Sequence, residues 1–226
     1  PTPTPYNEGA WYSDPHMKNA YSLQWNFGVQ QQLDNTTQLS VNYVGSGNRR
    51  QPLGTYYNVA LTPGPGAWRD RAPYPLFRAN NYQTSWGRSN YHALQAQLNK
   101  RFSSGLTFGL NYTWGKAIDI GCTGYFTEGC SQQDPYNFNI DRSVTGTDLT
   151  HMFNVSWVYE LPFGTGKMFD AGSSVANYII GGWQLNGILM FASGQPYTVV
   201  INGDIGNTGM ANGRYRPNLV GDPNMS

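Results

Sequence analysis

Charge is scarce in this sequence. Only 12% of its 226 residues are Asp, Glu, Lys or Arg, where an ordinary soluble domain carries about 25%. The charges present nearly cancel to a net +1, which leaves no electrostatic basis for binding nucleic acid or an acidic partner. Long apolar runs are missing as well. The longest, Tyr178 to Trp183, is broken by Gly181 and Gly182, and mean hydropathy is −0.51. Nothing approaches the ~20 apolar residues of a spanning helix, which argues against a helical membrane protein and leaves a membrane barrel open, because every second barrel residue faces the lumen and dilutes the hydropathy. The opening Pro1-Thr-Pro-Thr-Pro5 lacks the basic start and apolar stretch of a signal peptide. For an exported chain, the numbering is therefore expected to start after the signal or inside a longer polypeptide.

Cysteine is limited to Cys122 and Cys130, eight apart in a Gly- and Thr-rich stretch. A disulfide in an oxidising compartment is the expectation, with free thiols or half a metal site as the alternatives. Catalytic motifs are absent: no Gly-x-Ser-x-Gly stands at a strand-to-helix turn and no His-Glu-x-x-His occurs. The segment Gly203-Asp-Ile-Gly-Asn-Thr-Gly209 is too loose for a phosphate loop and reads as a flexible turn. No enzyme, cofactor or metal site is expected. Asp119, Glu128, Asp134, Asp141 and Asp148 crowd one region, but their spacing fits no calcium loop.

What the chain has is aromatic residues, 15% of the total, and a period of two. From Tyr21 to Leu33 the odd positions read Tyr, Leu, Trp, Phe, Val, Gln, Leu, and no even position carries an apolar side chain. On a helix those residues would scatter around the axis; on a strand they form one face. Asp34-Asn35-Thr36-Thr37 turns the chain, and Leu39, Val41 and Tyr43 resume the pattern. Leu94, Ala96, Leu98 and Phe102 repeat it, followed by Ser103-Ser104-Gly105 and then Leu106, Phe108, Leu110, Tyr112 and Trp114. A third unit carries Phe153, Val155, Trp157, Tyr159 and Leu161, ends at Pro162, and is partnered by Trp183–Ala192, where Ile188 and Met190 blur the polar side. Tyr197–Ile201 could add a short seventh strand.

This is an all-β reading: an antiparallel up-and-down meander of about six or seven long strands, of the outer-membrane β-barrel type and not closed by one chain alone. Residues 1–20 form an extended N-terminal segment, 21–201 the barrel strands with long loops at 45–90 and 118–148, and 202–226 an extended C-terminal segment. Short turns on one side and long loops on the other are the barrel arrangement, with the short turns periplasmic. A soluble β-sandwich would also alternate. Its outward faces would be expected to carry Lys and Glu against edge pairing, whereas here they carry Gln, Asn, Ser and Thr, and its strands would be nearer ~5–6 residues.

Trp25, Tyr112, Trp114, Trp157, Tyr159 and Trp183 lie on the apolar faces and read as membrane-interface aromatics, with packing in a soluble core as the alternative. Tyr56, Tyr57, Trp68, Tyr74, Tyr82 and Trp86 crowd the first long loop and form the candidate ligand or partner surface, since exposed rings can stack on sugars or bury against a protein. Arg49, Arg50, Arg69, Arg71 and Arg78 share that loop and could meet an anionic ligand or lipopolysaccharide, or simply be solvated.

Tyr21-Ser-Leu-Gln-Trp-Asn-Phe-Gly-Val-Gln30, Ser89-Asn-Tyr-His-Ala-Leu-Gln-Ala-Gln-Leu98, Tyr159-Glu-Leu-Pro-Phe-Gly164, Gly182-Trp-Gln-Leu185 and Arg216-Pro-Asn-Leu-Val-Gly-Asp222 resemble the TonB-dependent outer-membrane receptors, in particular their Oar-like branch. The resemblance runs co-linearly from Tyr21 to Pro223. It implies a 22-stranded barrel plugged by an N-terminal domain, in the outer membrane of a Gram-negative-type bacterium, importing scarce or large solutes with energy from an inner-membrane complex. No plug, TonB-contacting segment or regulatory N-terminal domain matches here, so the expectation is an internal portion of such a barrel. Its partners would be outer-membrane lipid and the missing strands of the same receptor. The competing expectation is a self-assembling structural β-protein, outside the cell or in the membrane, whose identical copies complete each other's sheets.

Overall fold

The computed structural model describes residues 11–120, 132–210 and 215–221. Its strands are β1 (Trp11–Ser13), β2 (Tyr21–Gln32), β3 (Thr37–Tyr57), β4 (Asn80–Ser103), β5 (Leu106–Asp119), β6 (Ser143–Val144), β7 (His151–Glu160) and β8 (Gln184–Ala192), with one short helix, α1 (Ser174–Ile180). The main path of the sheet is β2-β3-β4-β5-β7-β8, every neighbouring pair antiparallel, with β1 and β6 lying beside β4 and β5. The sheet is open, and β2 and β8 are its edges.

The short turns follow from their residues. Asp34 Oδ1 accepts hydrogen bonds from the Thr36 amide (2.7 Å), the Thr36 hydroxyl (2.8 Å) and the Thr37 amide (2.9 Å). Those donors hold the Asp34 carboxyl well below the usual carboxylate range. Between β4 and β5, Ser104 (φ 53°) and Gly105 (φ 79°) supply the two left-handed residues of a primed two-residue turn, whose twist matches the strands it joins.

Pairing register fixes the faces. One row runs Val29–Val41–Ala96–Tyr112–Phe153–Phe191 and the next but one on each strand runs Gln31–Leu39–Leu98–Leu110–Val155–Leu189. Directly opposed residues share a face, so Leu23, Trp25, Phe27, Phe108 and Trp157 join this apolar side. The other side carries the row Gln30–Ser40–Gln97–Asn111–Asn154–Met190, a band of amides and hydroxyls that only β8 interrupts. Trp25 and Asn111 thus lie on opposite faces, as the alternation requires.

The sheet departs from the sequence reading in four places. Residues 45–57 and 80–90, expected as loop, are strand: β3 and β4 run 21 and 24 residues, leaving 58–79 as the connection. Their alternation is hidden by Gly, Pro and Arg and by register shifts between Asn48 and Leu53, near Arg50 at φ 56°. Tyr197–Ile201 forms no seventh strand; only Ile201 makes an isolated bridge, to Tyr215. The connection after β7 contains a helix that the period-two reading did not anticipate. Beyond residue 201, Asn207 and Arg216 are tied to the loops, at the Gly64 carbonyl and at Asp141, rather than lying in a simply extended segment.

The buried core is small and lies at one end. Leu53, Ile120 and Phe138 form it, with Val59, Ala60, Thr84 and Asp141 also buried. Along the sheet itself, Phe27, Trp114, Leu189 and Phe191 are exposed. An isolated sheet that buries its loops and exposes its large apolar residues in a continuous band is built to be covered by something apolar.

Candidate functional site

The overhanging ends of β3 and β4 carry the candidate site. Segment 132–141 folds against them: Gln132 Nε2 donates to the Gly54 carbonyl (3.1 Å) and the Tyr136 hydroxyl to the Val59 carbonyl (2.9 Å). Burial pushes the Tyr136 phenol up to about 12. The 58–79 connection is closed by Asn58, left-handed at φ 63°. Its side-chain nitrogen donates to the carbonyls of Tyr74, Phe77 and Arg78, and its oxygen accepts from the Tyr74 amide (2.8 Å).

Residues 201–210 and 215–216 then reach back across to both loops. Arg71 donates to the carbonyls of Thr62, Pro65 and Asn207, while Asn207 Nδ2 donates to the carbonyls of Gly64 and Gly66. Trp68 lies against Gly209, where an added Cβ would meet the indole 2.5 Å away. Arg216 pairs with buried Asp141 at 3.3 Å. Burial raises the Asp141 carboxyl above its ordinary value, although Arg216 and the Gln133 amide pull it down. Asp204 accepts from the Thr208 and Gly209 amides and the Thr208 and Tyr215 hydroxyls; burial alone would raise its pKa, but these donors hold it below the ordinary value.

Two cavities formed by described residues lie within this cap. The larger, about 390 Å³, is walled by Tyr12, Tyr57, Tyr74, Phe77 and Tyr82, with Ser13, Asn58 and Asn80 among its polar groups. Tyr57 packs on Tyr82 at 5.1 Å between ring centroids and on Tyr136 at 5.4 Å. The smaller, about 260 Å³, is lined by Trp86, Arg88, Ile120 and residues 136–139, with Trp86 edge-on to Phe138 at 5.3 Å. Of the six loop aromatics singled out in the sequence, Tyr57, Tyr74 and Tyr82 share the larger cavity and Trp86 the smaller. Tyr56 and Trp68 line neither; Trp68 instead carries the Arg69 guanidinium 5.6 Å above its ring. Tyr12, Phe77 and Tyr136 were missed. They lie in separate stretches of sequence, and only a loop aromatic beside Asn or Pro (Tyr136 in Asp134-Pro-Tyr-Asn) gave any signal.

The other candidates separate. Arg71 is spent on carbonyls, Arg50 stacks 5.4 Å over Tyr21, and Arg49 bonds Asn48, Ser89 and Asn90, so these three meet separate partners. Asp148 accepts from the Ala117 amide and the Thr150 hydroxyl, and among the described residues no acidic group gathers for a metal. Glu128 and the expected Cys122–Cys130 pair lie outside the described residues.

The six apolar-face aromatics divide into two belts. Trp25, Tyr112 and Trp114 stand toward the cap, joined by two Tyr–His pairs of the same diagonal geometry: Tyr43 Oη to His92 Nδ1 at 2.7 Å and Tyr112 Oη to His151 Nδ1 at 2.8 Å. Trp157, Tyr159 and Trp183 stand toward the short turns. From Leu106 to Lys116 the strand advances ~33 Å, which a ~40° barrel tilt reduces to about 25 Å, the height of the apolar band of outer-membrane barrels.

An open antiparallel meander, apolar on one face and amide-lined on the other, with tight turns at one end and long packed loops at the other, defines a membrane β-barrel. The chain belongs to the outer membrane beta barrel domain family, whose model matches residues 1–226. That membership places it in the outer membrane. No curated protein and no solved structure matches it.

Proposed function

We propose that this barrel domain is one arc of a TonB-dependent outer-membrane transporter that captures its ligand in the loop cap. The observation that carries the reading is the aromatic-walled cavity of about 390 Å³, held at the far end of the β3–β4 overhang beyond the aromatic belt. In this reading the apolar face contacts outer-membrane lipid, with Trp25, Tyr112 and Trp114 at the outer interface and Trp157, Tyr159 and Trp183 at the periplasmic one. The Gln and Asn face lines the lumen. Further strands of the same receptor pair with β2 and β8, and an inner-membrane complex supplies the energy; the domain itself performs no chemistry.

The test is solute accumulation by cells carrying the native protein, from a defined panel of oligosaccharides, peptides and metal chelates, with and without a protonophore. At least one solute should accumulate only in the energised cells. The pair Tyr57→Ala and Tyr82→Ala should lower that uptake ~10-fold or more, since truncating a stacked anchor ring commonly costs ~2 kcal/mol. Uptake of that solute indifferent to both treatments would reject the reading.

The free edges of β2 and β8 favour a second reading, in which identical copies complete the barrel. The mass of the native polypeptide separates the two: 25.1 kDa supports assembly of copies, and a several-fold larger chain supports the receptor.

A further inference from the structure

The connection between β7 and β8 is built inside out for water. Helix α1 carries Val175, Tyr178 and Ile179 at i, i+3 and i+4, a single stripe. All three are exposed, Tyr178 to 89% and Val175 to 72%, and the residue the helix buries is polar Asn177, at 8%. Asn177 is held there by its own bonds: Nδ2 donates to Asp170 (2.6 Å) and Oδ1 accepts from the Ala171 amide (2.9 Å). A helix on a soluble surface turns its apolar stripe inward. Here the polar side is anchored to the turn and the apolar stripe is presented outward.

The stripe continues a surface already assigned. The Leu161 amide donates to the Trp183 carbonyl, extending the register in which Tyr159 opposes Leu185, so Trp183 belongs to the apolar face. Its indole Nε1 donates to the Ile179 carbonyl at 2.9 Å, which fixes the end of α1 beside that face. Trp183, Leu185 and the helix stripe, all exposed, therefore run together from the sheet into the turn. We infer that α1 is an amphipathic foot that lies in the headgroup–acyl boundary of the periplasmic leaflet, its stripe immersed in phospholipid beside the lower aromatic belt. An apolar helix face at a bilayer surface settles at that depth. The inference rests on the barrel reading, because it is the lipid-facing band that α1 extends.

Nitroxide labels test it in the full chain embedded in phosphatidylethanolamine–phosphatidylglycerol vesicles, after Cys122→Ser and Cys130→Ser. Tyr178→Cys and Val175→Cys are the reporters, Leu189→Cys reports insertion of the sheet, and Gly172→Cys reports water. With Leu189 lipid-exposed, labels at 178 and 175 should favour oxygen over a water-soluble nickel chelate several-fold, and position 172 the reverse. Nickel access at 178 equal to that at 172 would overturn the foot while leaving the barrel standing. So would protection from both reagents, which would mean a protein covers the stripe. A Leu189 label open to nickel in the same vesicles would instead indict the barrel reading beneath it, and the inference with it.

Discussion

Two tryptophans show what single residues contribute. Trp25 opposes Gly45 and Trp157 opposes Gly187, and each indole lies over the glycine it faces. A Cβ on Gly187 would sit 2.5 Å from Trp157. The glycines make room for rings that would otherwise stand away from the sheet, so their cost in strand propensity is offset by aromatic packing. Gly45→Ala and Gly187→Ala should each destabilise the folded protein by ~1–3 kcal/mol, the usual cost of overpacking. Urea unfolding in vesicles should show a lowered midpoint at unchanged slope, while Gly54→Ala, with open space around it, should move little. Asp204 offers a second test. Its folded pKa lies below the ordinary 3.8, so its contribution is fully present above that value and is lost as pH falls through the depressed one. Amide exchange in 201–209 should therefore quicken as pH drops below about 4, after correction for the intrinsic rate. Asp204→Asn should loosen the segment at neutral pH and flatten that dependence. Neither the glycine contacts nor the Asp204 cluster could be read from the sequence. Each depends on which residues a register or a loop return brings together.

At the scale of elements, legibility followed the regularity of the alternation. β2 and β5 were readable because both faces are uniform over nine or more residues, and β7 because its outward face from Phe153 to Tyr159 is wholly apolar even though Met152 and Val158 interrupt the other. β3 and β4 were readable only where they lie in the apolar band; from the upper belt onward the outward residues of β3 are Gly45, Gly47 and Arg49, and the register shifts reset the parity. A strand outside lipid needs no apolar face, so the signal ends where the membrane does. The overhang still needs closing, and Asn58 closes it. Asn58→Gly keeps the left-handed backbone and removes the four side-chain bonds; Asn58→Ala adds backbone strain as well. Both should speed exchange of the Tyr74 amide, Ala more than Gly, with a local loss of ~1–3 kcal/mol for the unsatisfied groups. Exchange in β5 and β7 should be unchanged, because the connection touches neither strand's lower half. Equal protection in both variants and the parent would mean the loop is held by its aromatic contacts instead.

For the whole molecule the decisive quantity is circumference. Eight strands enclose an interior just wide enough to be filled by side chains. The six strands of the main path, β2 to β8, would enclose less, yet of the six residues in their inner row only Ser40 is small, the others being Gln30, Gln97, Asn111, Asn154 and Met190. Closing β2 onto β8 would drive these long side chains into one another, whereas leaving the edges bare would strand backbone donors and acceptors in hydrocarbon, which lipid does not tolerate. The expectation is that strands outside this path extend the sheet at both edges. A cysteine placed at Gln24 of β2 should form no intrachain disulfide with a cysteine scanned through Gln184–Ala192 of β8 in the native membrane. The edge amides of β2 and β8 should nonetheless exchange as slowly there as those of β4, which is paired on both sides. Rapid exchange at the edges would show them open to water, and an efficient β2–β8 cross-link would show that six strands do close, with the amide-lined face packed inside rather than lining a lumen.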